Sequence, residues 1–115
     1  MWLFTNTGFV SAVSTGKDLM VRARDKDSLE PLAEITKQEI ISTPTNDYPY
    51  RLIISHEIFG KWVSHMATGI TYKNFKSEVA ATRGYDFAHP LMKVWSAMHE
   101  VEDAGARKEQ DNFSS

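Results

Sequence analysis

The sequence predicts an α+β fold, with a four-stranded antiparallel sheet built from two ββα units in a permuted ferredoxin-like order and two further helices at the C-terminal end. Three observations lead there. A two-residue apolar alternation gives way to a helical spacing twice, in the same order. Turn chemistry separates the segments at Thr15-Gly16-Lys17-Asp18 and Thr45-Asn46-Asp47. Arg22 and Arg24 on one side of an otherwise apolar strand suit a sheet with one buried and one open face.

Trp2 to Val13 is rich in aromatic and β-branched residues and reads as the first strand, with Gly8 as a turn or bulge. In the second, from Leu19 to Arg24, Leu19, Val21 and Ala23 share one face while Met20, Arg22 and Arg24 share the other. Asp27 and Glu30 have the spacing of a capping box, and Pro31 restricts the first helix to starting near residue 28. Residues 39–43 form the third predicted strand, closed by Pro44. Residues 48–54 form the fourth, with Pro49 at its start, where a missing amide donor does least harm. Ser55 then caps a helix whose Ile58, Phe59, Trp62, Val63 and Met66 recur on one side. Asn74 precedes a helix from Phe75 to Thr82. Asp86 opens a last one, with Pro90 in its first turn and a stripe of Leu91, Val94, Trp95, Met98 and Val101. Trp62, Val63, Met66, Val94, Trp95 and Met98 are the expected core of the helical layer. Residues 1–102 make one domain in this reading, and residues 103–115, polar and without an apolar period, a disordered tail.

Composition narrows the function classes. With 42% hydrophobic and 24% charged residues the 115-residue chain is of globular type, and its net charge of −2 means that any cationic surface is a local patch. Cysteine is absent, which excludes disulfides and thiolate chemistry. No apolar run reaches the roughly 18 residues of a membrane span, and the N-terminus lacks the pattern of a signal peptide. A cytoplasmic, membrane-free protein is the expectation.

Trp2-Leu3-Phe4-Thr5, Gly8-Phe9, Val21-Arg22-Ala23-Arg24, Asp47-Tyr48, Tyr72, Asn74-Phe75-Lys76 and Val94-Trp95-Ser96-Ala97-Met98 follow one another in an order that resembles a family of small uncharacterised bacterial proteins. The resemblance covers about residues 2–98. It implies a standalone domain and brings no catalytic residues with it.

The residues themselves point to binding and not to bond chemistry. The serines Ser11, Ser42, Ser55 and Ser64 sit in no nucleophile elbow, and the six glycines are scattered singly, with no phosphate-cradling loop. Asp86 with His89, and His99 with Glu102, have ligand spacing. The two pairs are roughly 15–20 Å apart along one helix and cannot share an ion. No cofactor or metal follows from the sequence. Tyr48, Tyr50 and Arg51, together with Tyr72, Asn74 and Lys76, set rings beside cations at turn-adjacent positions. That chemistry suits a surface gripping a protein partner, as an adaptor, an inhibitor or a self-associating subunit. On the plainer reading Tyr48 and Tyr50 share a strand face with Leu52 and pack beneath the helices, while the lysines are solvated. The alternative ligand is single-stranded RNA, held by Arg22, Arg24 and Arg51 with Trp2 or Tyr50 nearby on an open sheet face. A small metal-dependent enzyme is the third class. The Trp95 stripe is a core face or, alternatively, a homodimer or partner interface.

Overall fold

The computed structural model describes residues 1–105. It is α+β, with an antiparallel sheet and four α-helices. The chain divides into two compact units, Met1–Phe75 and a second beginning at Lys76. No helix among the described residues is long and apolar enough to cross a membrane.

The sheet has five strands and not four. Trp2–Val13 is a hairpin, β1 (Trp2–Thr5) and β2 (Gly8–Ser14), turning at Asn6-Thr7. Thr5 holds this turn: its Oγ1 accepts from the Thr7 amide at 3.2 Å and donates to the Gly8 carbonyl at 3.3 Å. β3 (Leu19–Ala23) pairs with β2, and β5 (Tyr50–Ile54) pairs with β3. The third predicted strand shrinks to β4 (Ile41–Ser42), at the edge beyond β5. Pro44 limits it, because a ring nitrogen cannot extend the ladder. The resulting order is β1-β2-β3-β5-β4. Two equal ββα units were expected; the chain instead runs βββα then ββα.

A short 3-10 turn (Lys26–Ser28) leads into α1 (Glu30–Thr36). Asp27 lies inside that turn and is not the cap residue of α1. Leu29 occupies the cap position of α1 without a side-chain bond, and Pro31 falls in the first turn. α2 (His56–Thr68) starts as expected: Ser55 Oγ accepts from the Ile58 amide at 3.1 Å. Removing this acceptor orphans a helix-end donor, so Ser55→Ala should cost about 1 kcal/mol in denaturant unfolding.

Leu29, Leu32 and Ala33 beside α1, with Phe59 and Trp62 of α2, cluster with Val10, Ala12, Val21, Ala23, Leu52 and Ile54 of the sheet. These strand residues are alternate ones, so they define one core face. Val63 and Met66 are partly buried against the cluster. The opposite sheet face carries Trp2, Phe4, Phe9, Ser11, Val13, Met20, Arg22, Arg51 and Ile53 by the same alternation.

In the second unit, α3 (Phe75–Arg83, its first residue in the preceding unit) buries Val79, and α4 (Tyr85–Met98) buries Ala88. α4 begins at Tyr85 after Gly84, so Pro90 lies in its interior and not in its first turn. Its stripe departs from the expectation. Phe87 and Leu91 are partly covered, but Val94, Trp95 and Met98 are exposed. Residues 100–105 are again helical, and the rest of the predicted tail lies outside the described residues.

Candidate functional site

The open face of the sheet gathers cations and rings into one cross-strand row. Register places Trp2 opposite Ser11, Ser11 opposite Arg22, Arg22 opposite Arg51, and Arg51 opposite Ile41. With neighbouring strands about 4.8 Å apart, the backbones of Trp2 and Arg22 are separated by about 10 Å and those of Arg22 and Arg51 by half that. Two guanidinium-bearing residues therefore stand side by side. Like charges directly opposite each other destabilise a sheet.

Each guanidinium is held by neutral groups. Arg22 Nη2 donates to Ser11 Oγ at 2.9 Å, from beneath the face, since Ser11 is buried. Arg51 Nη2 donates to the Tyr48 carbonyl at 3.4 Å, and Nη1 lies 3.7 Å from Met20 Sδ. Among the described residues neither is in a salt bridge with a carboxylate, and the Nε of each is shut off from solvent without an acceptor. Arg24 differs. Its Nη1 donates to the Asp47 carbonyl and Oδ1, both at 3.1 Å, and the neighbouring carboxylate raises its pKa further above the usual guanidinium range.

Tyr48 organises the cationic half. Its ring is buried, with the Arg22 guanidinium 4.5 Å and the Arg24 guanidinium 4.7 Å from its centroid. Cation–π contact with one ring gathers Arg22 and Arg24, and the Asp47 carboxylate on Arg24 offsets part of their repulsion. The aromatic half lies on β1 and β2. Phe4 and Phe9 stack at 4.5 Å, and Phe9 meets Trp2 edge-on at 5.9 Å. Trp2 remains 69% exposed, a large ring held in place and left open.

The sequence-predicted residues are thus partly brought together. Arg22, Arg24, Arg51 and Tyr48 meet, with Trp2 in the same row. Tyr50 is beside them along the chain but faces the core, with Leu52 and Ile54. Tyr72 lies next to β1, at the far edge from β5. It lines a cavity of about 130 Å³ with Leu3, Thr5, Val63, Met66 and Ile70, and its ring is 6.2 Å from that of Phe75. Asn74 is exposed just before α3. Lys76 belongs to the second unit, where its Nζ lies 5.0 Å from the centre of the Trp95 ring. Ser11, Phe4, Phe9 and Met20 are the contributors that sequence reasoning missed. Their roles depend on register, although the period-2 pattern of β3 already assigned Met20 to the arginine face.

His89 and His99 stay in local pairs. His99 Nδ1 is 3.5 Å from Glu102, and His89 Nδ1 is 3.3 Å from the Tyr85 hydroxyl. Among the described residues no three metal-ligating side chains come together. No model of a known protein family, no curated protein and no solved structure matches this chain.

Proposed function

We propose that this chain is a non-catalytic binding module that takes an anionic partner on its open sheet face. The observation that carries the reading is the Arg22–Arg51 pair. Two cationic groups stand opposite each other on adjacent strands, supported by Ser11, Tyr48 and Met20 and, among the described residues, by no carboxylate. An arrangement that costs stability in the free protein becomes favourable when an anion bridges the two forks. A guanidinium offers a planar fork of donors and no acceptor, so the site is suited to holding an anion and not to acid–base work.

The test is Arg51→Gln. Relieving the cross-strand repulsion should leave stability unchanged or raise it by about 0.2–1 kcal/mol. The same substitution should lower the salt concentration at which the protein leaves a heparin column. Loss of stability with unchanged retention would mean that Arg51 serves only the fold. A gain of stability coupled to loss of binding is the signature of a group retained for function.

A protein partner is the second reading, and the exposed stripe of α4 favours it. Phe87, Ala88 and Leu91 are covered to differing degrees, while Val94, Trp95 and Met98 on the same side of the helix are 38%, 58% and 58% exposed. Exposed Trp and Met on one helix side match the composition of interface centres. Sedimentation of the protein over a range of concentrations would detect self-association through this stripe, and Trp95→Ser should abolish it.

A further inference from the structure

We infer that the anion is a phosphodiester of a single-stranded nucleic acid, held between Arg22 and Arg51 while a nearby base stacks on Trp2. This rests on the reading of the open face as an anion site and names the ligand class. The row Trp2–Ser11–Arg22–Arg51 carries it. The carboxylate side chains of an acidic peptide would satisfy the guanidiniums but supply no π-face for a ring that is 69% exposed and braced in a T-shape by Phe9. A nucleotide strand carries both a phosphate and a π-face. The separation of about two strand spacings, roughly 10 Å, is within reach of one or two extended nucleotides.

Strandedness follows from the same geometry. Stacking on Trp2 requires a base free of its own stack, which a duplex does not offer without unpairing. A sheet face also lacks the protruding helix or ribbon that enters a major groove. Length follows from the solvent. A lone phosphate on a water-accessible face is screened and weakly held, so affinity depends on adding base stacking and further contacts along a polymer. Phe4, Val13, Met20 and Ile53 flank the row and offer those contacts to bases and sugars. The overall charge of −2 confines attraction to this patch, so affinity should fall with salt according to a few phosphates only.

The experiment is fluorescence anisotropy with four labelled probes: a 12-nucleotide oligouridylate, its DNA counterpart, a blunt RNA duplex and a polyglutamate of similar charge. Both single strands are expected to bind more tightly than the duplex and the polyglutamate. Trp2→Ala should weaken single-strand binding about 5- to 150-fold, the equivalent of roughly 1–3 kcal/mol for one stacked base, and Trp2→Phe should retain most of it. Arg22→Gln should reduce the salt slope by about 0.7, one phosphate on a single strand. Circular dichroism confirms that each variant is folded. Equal binding of polyglutamate and oligouridylate, with Trp2→Ala without effect, would overturn the nucleic-acid ligand and leave the anion site standing. Tighter binding of the duplex would also overturn it. Failure to bind any of the four would overturn both.

Discussion

Gly8→Ala is expected to destabilise the first unit by about 2–6 kcal/mol, enough to leave much of it unfolded. The range joins two costs, a backbone conformation that side chains rarely adopt, at about 1–3 kcal/mol, and overpacking of similar size. Gly8 begins β2 at φ +152°, so any Cβ is strained there whatever the space. There is also no space. An added Cβ would lie 2.2 Å from Ser28 Oγ, 2.7 Å from its Cβ and 2.8 Å from its Cα. Because the last of these is backbone, no rotamer change of Ser28 relieves the clash. Ser28 in turn anchors the turn before α1: its hydroxyl accepts from the Phe9 amide at 3.2 Å and donates to Asp25. Moving it would leave a buried hydroxyl and a strand amide in search of partners, and would disturb the contact of Phe9 with Trp2. The measurement is the urea midpoint of Gly8→Ala against wild type. A loss below about 1 kcal/mol would show that the Lys26–Ser28 turn swings away freely, and that its contact with β2 is not part of what fixes the open face.

That contact also marks where the sequence stops being legible. β3 was readable because its alternation is local: Leu19, Val21 and Ala23 against Met20, Arg22 and Arg24, each assigned a face by period alone. α2 was readable for the same reason, with Ser55 marking its start and Phe59 and Trp62 its buried side. The hairpin of β1 and β2 was missed because Asn6-Thr7 is weak turn chemistry. The informative glycine sits one residue later, where it admits Ser28 from a segment 20 residues away. The site was half legible. The arginines could be placed on an open face from β3, but their juxtaposition depends on β3 pairing with β5 in one register, and pairing between segments separated by α1 and β4 is not a local property. For Tyr50 the plainer reading holds: its alternation with Leu52 is local and places it on the core side without any register.

Trp62→Ala and Trp95→Ala should separate sharply, and the contrast tests whether α4 is bare in solution. Both tryptophans belong to helical stripes that look alike in sequence, and periodicity cannot say whether a stripe is covered. Trp62 is 2% exposed, its ring 5.7 Å from that of Phe59, inside the cluster that joins α1 and α2 to the sheet. Deleting it should cost about 3–5 kcal/mol, the range for a core aromatic. Trp95 is 58% exposed; among the described residues its ring meets that of His99 in a T-shape at 4.6 Å and the Lys76 ammonium at 5.0 Å. A solvent-exposed cation–π pair is worth about 0.5–1 kcal/mol, so Trp95→Ala should cost no more than about 1 kcal/mol. Denaturant titrations at two protein concentrations give the answer. If Trp95→Ala instead costs several kcal/mol, and the wild-type midpoint rises with concentration while the variant's does not, the stripe is covered by a second copy, because association stabilises by mass action. If the loss is small and independent of concentration, the stripe is free surface, and a second copy of this chain does not cover it.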